Sequence, residues 1–419
     1  MMLSIFSVLI VGFPMAAPAP EAEYDVEPLP RIATQDGRFV IAESGEPFIP
    51  RGFHYVRIRN NGIHYVHTPG FYQPLAIEEM FADLSEHGFN VVRTFLGFEG
   101  VFDETGISEP FLDNLEDYLR RARRHGVYVI LERRYVLAVG PYGEALSGWE
   151  SGITEGIVPG PNNMRYMSAA YYEAMRRFWG DLVQAIKDRD PGLLSTVLAY
   201  ELENESEFRV NESPIADTEG IFYAPDGKAF DVADEDELQV LLDHCTILWA
   251  NASVEAIQAV DPEALVTTSV FTYRASGRPG GPGAPRTTPW GDPRYPLRPV
   301  AMAQSDLSYV DIHLYPESVD ALELHLDSIE FDRLQELCDA AGKPIFVGEY
   351  GAVKPFWPEF EPAAEMIETV TPRLFEKGFA GYCFWTYDCH EQLYVWNAKA
   401  EDRRIFEFLA EYNDTLEAN

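Results

Sequence analysis

Short runs of consecutive apolar residues alternate along this chain with stretches whose apolar positions recur every three or four residues. The first pattern suits a strand buried on both faces, the second a helix with one buried stripe. The runs predict a first strand over Phe48–Tyr55, a second over Asn90–Phe95 and a third over Val127–Leu131. A fourth is predicted over Thr196–Glu205, a fifth over Leu265–Val270 and a sixth over Tyr309–Leu314. Lys343–Glu349 reads as the seventh and Ala380–Trp385 as the eighth. Helices are predicted between them over Pro74–His87, Phe111–His125, Ser168–Asp188, Glu235–Val260, Ala321–Ala341 and Pro362–Lys377. A last helix covers Arg403–Tyr412. The basic end of the Phe111–His125 segment suits the negative pole of a helix, and Pro191-Gly192 stops the segment before it.

Eight strands alternating with helices place the chain in the α/β class, as a parallel (β/α)₈ barrel. An open doubly wound sheet is the alternative; it usually starts with a Gly-rich first turn, and none is present. Before the first strand, Arg38–Ala42 and the Ser44-Gly45-Glu46-Pro47 turn predict a hairpin placed to plug the barrel floor. The segments after strands are longer than those before them, notably 135–163, 206–233 and the Gly/Pro-rich stretch 276–283. Long loops at the carboxyl ends of strands would surround an active-site mouth. Trp149, Trp290 and Trp357 lie on such loops, where an aromatic face can stack on a sugar ring or simply pack the loop.

The length allows two or three average domains or one large barrel with insertions, and a composition of 46% hydrophobic residues supplies a sizeable core. A net charge of −36 excludes binding to nucleic acid or an anionic membrane by general electrostatics, and it would repel polyanionic substrates. A neutral substrate fits. Residues 1–19 read as an export signal, with an apolar stretch from Met2 to Phe13 followed by Ala16-Ala17-Pro18-Ala19. Residues 20–30 read as a linker, and 31–419 as one catalytic domain. Secretion or delivery to a periplasm is the expected localisation. None of Cys245, Cys338, Cys383 and Cys389 has zinc-ligand spacing. Cys383 and Cys389 are close enough in sequence to bridge, and buried thiols are the other reading.

Two glutamates close apolar runs, one ending Ala199-Tyr200-Glu201-Leu202-Glu203-Asn204-Glu205 and the other Ile345-Phe346-Val347-Gly348-Glu349. Carboxylates at the ends of distant barrel strands suggest the pair that cleaves a glycosidic bond, one protonated and one ionised. Arg93 ends the second strand, where a guanidinium would keep Glu349 ionised. Asn204, His313, Tyr315 and Trp385 stand at strand ends with the chemistry to hold a sugar or a carboxylate. Glu201, Glu203 and Glu205 would share one face of a regular strand, so the spacing does not choose among them.

With these phrases in hand, the chain resembles the retaining glycoside hydrolases of clan A, nearest to family five and its endo-β-1,4-mannanase-like branch. His313-Leu314-Tyr315-Pro316, Gly348-Glu349-Tyr350-Gly351 and the opening Pro50-Arg51-Gly52-Phe53-His54-Tyr55 carry the likeness. The resemblance implies Glu205 as acid/base and Glu349 as nucleophile. It implies substrate contacts at Arg93, Asn204, His313, Tyr315 and Trp385, with no metal or cofactor. The expected partner is a mannan- or glucan-like carbohydrate, met by a monomer. Departures are Glu132-Arg133-Arg134-Tyr135 after the third strand, His54, Glu203 and Ser206. Two rivals remain at this point. One is a carbohydrate-binding barrel without turnover. The other is a metal-dependent hydrolase built on Asp311 and His313.

Overall fold

The computed structural model describes residues 26–59, 64–97, 99–133, 139–148, 155–271 and 293–417. Its barrel strands are β1 (Arg51–His54), β2 (Val91–Phe95), β3 (Tyr128–Glu132) and β4 (Val197–Glu201). The fifth is split into β5a (Val266–Thr267) and β5b (Ser269–Val270), followed by β6 (Val310–Leu314), β7 (Ile345–Tyr350) and β8 (Phe379–Phe384). Strands β1 to β4 and β6 to β8 pair in parallel, in sequence order, with β8 beside β1. β5a pairs with β4 and β5b with β6, so one broken strand spans the seam and closes the barrel. The fold is the (β/α)₈ barrel, with helices filling the outer layer.

Burial on both faces explains why these runs read as continuous apolar sequence. In β2 the outward Val92 joins the large core shared with the helices, whereas Val91 joins a separate cluster inside the barrel. Three of the helices, Glu235–Gln258, Val319–Leu326 and Ile329–Ala341, start where a side chain satisfies free N–H groups. Asp234 accepts from the Asp236 and Glu237 N–H groups at the head of Glu235–Gln258. The expected single helix 321–341 is two, Val319–Leu326 and Ile329–Ala341. Ser328 breaks it by accepting a hydrogen bond from the Phe331 N–H, the action of an N-cap. No helix among the described residues is long and apolar enough to cross a membrane.

The amino-terminal segment forms a three-stranded antiparallel sheet, Ile32–Gln35, Arg38–Ile41 and Pro47–Phe48, under the barrel. Phe39 meets Tyr309 and Phe346 edge to face at 5.2 and 6.0 Å, in a cluster with Ile32, Val91, Ile130 and Leu198. This is the predicted floor plug. Leu29 packs on the same cluster and the Pro30 carbonyl accepts from Tyr128 Oη, so the last residues of the expected linker are part of the domain.

Two strand expectations change. β4 ends at Glu201 instead of Glu205, because the chain leaves the ladder and Glu205 adopts a left-handed backbone, φ +52°. Leu265–Val270 is not one strand but the two pieces of the seam. The four cysteines are all free and buried, so Cys383 and Cys389 are not bridged.

Candidate active site

The site is organised around one guanidinium. Arg93 sits on the inward face of β2 with no exposure, and all five of its N–H groups find acceptors. Nε and Nη2 hold the two oxygens of Glu201 at 2.5 Å each, and Nη2 also reaches Asn204 Oδ1 at 2.7 Å. Nη1 donates to Glu349 Oε1 at 2.8 Å and to His54 Nδ1 at 3.2 Å. A His54 Nδ1 that accepts leaves Nε2–H to donate to the Gly348 carbonyl at 2.6 Å. Burial and the neighbouring Arg93 hold His54 well below the ordinary imidazole pKa, in keeping with that neutral tautomer.

Glu349 is nearly buried, with Arg93 on one oxygen and the Tyr315 O–H on the other at 2.7 Å. Burial raises its pKa above the usual carboxylate value, and Glu205 adds to the rise. His313, Arg93 and the Tyr315 hydrogen bond oppose it. Glu205 is more open, a quarter of its side chain being exposed. His313 Nδ1 stands between the two, 3.3 Å from Glu205 Oε1 and 3.4 Å from Glu349 Oε2. Carboxylate oxygens of Glu205 and Glu349 come within 4.8 Å of each other. Retaining glycosidases hold their carboxyl groups roughly 5–5.5 Å apart and inverting ones about 6.5–9.5 Å, and an oxygen-to-oxygen approach this close is compatible with the retaining arrangement.

The left-handed turn at Glu205 is how β4 delivers this carboxylate. Past Glu201 the Asn204 N–H donates to Glu132 Oε1, and the Glu205 N–H to Ser269 Oγ. These bonds hold a non-glycine residue in a conformation that costs free energy and that clusters at functional sites. The turn also separates three glutamates that a regular strand would have crowded. Glu201 faces inward to Arg93. Glu203 turns to Arg165 Nη1 at 2.9 Å and Tyr166 Oη at 2.8 Å. Only Glu205 reaches the cleft.

All seven residues singled out from the sequence therefore meet at one end of the barrel. Trp385, just past β8, lines a cleft of about 560 Å³ and donates its indole N–H to Gln392. Trp357 packs a loop instead, bonding the Pro316 carbonyl, while Trp149 and Trp290 lie outside the described residues. Sequence reasoning passed over Glu132 as a functional residue, although it too is a carboxylate closing an apolar strand and it lines the cleft. Phe95, at the end of β2, packs edge-on to Trp385 at 5.8 Å.

Two groups of side chains approach metal-ligand spacing, Glu201 with Asp311 and His313, and Glu205 with His313 and Glu349. In the first, both Glu201 oxygens are already held by Arg93, which supplies the positive charge an ion would bring.

A closed parallel barrel with paired carboxylates at its strand ends is the architecture of a large class of glycoside hydrolases. The family model described as cellulase (glycosyl hydrolase family 5) matches residues 43–390, and the chain belongs to that family. It is a retaining glycoside hydrolase. Among solved structures it is similar to the endo-1,4-β-mannanase of Rhizomucor miehei, with TM-score 0.57 and 15% identity over 93% of this chain and 100% of that one. The exo-β-1,4-mannosidase of Opitutaceae bacterium strain TAV5 gives 0.55 and 15% identity, over 91% and 62% of the two chains. The β-mannanase of the blue mussel Mytilus edulis gives 0.51 and 16%, over 91% and 96%. At these identities the likeness is one of fold. No curated protein matches the chain in sequence.

Proposed function

We propose that the protein cleaves β-glycosidic bonds of a neutral, mannan- or glucan-like polysaccharide or its oligomers by double displacement. Glu349 attacks the anomeric carbon while Glu205 protonates the leaving oxygen; Glu205 then takes a proton from the water that releases the sugar. The observation that carries this reading is the approach of the two carboxylates to within 4.8 Å across His313 Nδ1. Their surroundings divide the work. Glu349 has donors on both oxygens, which orient it and stabilise its charge, whereas Glu205 is open to the cleft. Asn204 gives its carbonyl oxygen to Arg93, so its NH₂ is left to face a sugar hydroxyl. Trp385 offers the platform for the ring, Tyr315 lines the cleft beside it and bonds the nucleophile, and His313 stands behind both carboxylates.

The test is a pair of variants on two kinds of substrate. A dinitrophenyl glycoside needs no proton on its leaving group. Glu205→Ala is expected to keep glycosyl transfer from it while losing activity on mannan, glucan, xylan or galactan. Glu349→Ala is expected to lose both, by on the order of 10⁵–10⁶-fold. Turnover that persists in Glu349→Ala would sink the assignment, and product sizing on the polysaccharide panel identifies the sugar and the mode of attack.

The −36 charge supports a neutral substrate over a polyanion. The apolar start of the chain, which lies outside the described residues, supports export with cleavage after Ala19; an intact Met1 on the mature enzyme would refute it. We further expect a monomer, checked by light scattering against a single-chain mass below the 47.3 kDa of the full sequence once the export segment is removed.

A further inference from the structure

Beneath the carboxylate pair lies a buried acid that the mechanism above does not use. Asp311 is on the same inward face of β6 as His313, two residues before it, and both are wholly buried. One Asp311 oxygen accepts the Gly348 N–H at 2.7 Å, directly before Glu349 in the chain. The contact is so close that a Cβ on Gly348 would lie 2.2 Å from that oxygen. The other oxygen, Oδ2, and His313 Nε2 are buried without a hydrogen-bonding partner among the described residues. An oxygen of Asp311 lies within 4.8 Å of an imidazole nitrogen of His313. Two unpartnered buried polar atoms on adjacent inward positions of one strand call for an explanation.

We propose that Asp311 is a positioning residue that sets the alkaline limit of activity: with His313 it forms a buried acid–base couple, linked through charge, that fixes the charge presented to Glu205. The charged surroundings support such a couple. Glu201 on β4 and Arg93 on β2 face Asp311, with the Tyr309 hydroxyl and the Cys383 thiol nearby. Glu349, Glu205 and His54 face His313. Burial and the Glu201 charge raise Asp311 to about 7. Burial works against charging His313, but Glu349, Glu205 and Asp311 outweigh it and its pKa is raised. Below neutrality Asp311 is therefore a neutral acid. As pH rises it ionises, and its charge keeps the proton on His313. An imidazolium 3.3 Å from Glu205 favours the carboxylate form, which cannot protonate a leaving group.

This inference rests on Glu205 being the acid/base, and the test separates the two ideas. Asp311→Asn keeps an acceptor for the Gly348 N–H while removing the charge. The His313 ring is followed by NMR against pH in the wild type and in D311N, beside kcat/KM profiles. The midpoint of His313 is expected to fall by about one pH unit in the variant. The alkaline limb of kcat/KM is expected to move to higher pH while the acidic limb stays. A His313 midpoint or an alkaline limb that remains in place in D311N overturns the proposal, since a purely structural Asp311 would lower kcat evenly. Should D311N not fold, the wild-type Asp311 carboxyl resonance decides. Titration near neutrality with a matching step in His313 supports the couple, and titration near 4 with no response in His313 overturns it. If Glu205→Ala instead proves fully active on polysaccharide, the acid/base reading fails, and the NMR midpoints still report on the couple.

Discussion

The lower and upper halves of the barrel interior are built from the same strands yet solve opposite problems. Below, Val91, Ile130, Leu198, Tyr309 and Phe346 close around Phe39 in an apolar plug. Above, two residues further along three of those strands, Arg93, Asp311 and Gly348 begin a charged network that ends at Glu349. The plug is held by area removed from water, which is indifferent to the orientation of its parts. The network has every guanidinium N–H assigned to a stated acceptor, and removing one partner leaves a charge buried alone. Stability can be lost from either half, but chemistry from only one.

Substitutions in each half test that division. Arg93→Met should have the largest effect. It strands Glu201 as an unpaired buried carboxylate and leaves Glu349 with only Tyr315 and His313, at about 3–5 kcal/mol of folding stability, and abolishes activity with it; thermal unfolding and kcat/KM measured together would show both losses. Phe39→Ala should cost a similar 3–5 kcal/mol through the cavity it leaves, yet leave kcat/KM unchanged at temperatures where the protein stays folded. A fall in kcat/KM there would mean that the floor transmits to the site and the two halves are not separate. Tyr315→Phe should have the smallest effect, removing one hydrogen bond to a charged group worth about 1.5–3 kcal/mol, with kcat/KM lower by roughly tenfold to a hundredfold. Its pH profile has a defined sign. Glu349 must be ionised to attack, so activity falls as pH drops through its raised pKa. The Tyr315 O–H lowers that pKa, and without it the acidic limb should move to higher pH.

The same division explains what could be read without a structure. Strand and helix order follows from local periodicity, and Glu349 was visible because its strand runs straight to the mouth. Glu205 was not separable from Glu201 and Glu203 by spacing. What separates them is long-range: a partner for Glu201 that lies 108 residues away, a partner for Glu203 that lies 38 residues away, and a backbone turn held by Ser269. Local periodicity carries none of these. The resemblance to a family supplied the choice of Glu205 instead, and the ion pairs give it a physical reason. Glu132 was within reach, since the rule that found the other glutamates applies to it unchanged.

The broken fifth strand bears on how firmly each member of the carboxylate pair is mounted. Its two pieces are two residues each, and each is held to its neighbour, β4 or β6, by only two register pairs. The segment that bears Glu205 is tied to this same seam, through Ser269 Oγ and through Thr268 Oγ1, which donates to the Glu203 carbonyl at 2.9 Å. Arg93 and Glu349 stand on strands of five and six residues, whereas Glu205 hangs on this short ladder. Local loosening of the fifth strand would therefore dismount the acid/base while the nucleophile keeps its place.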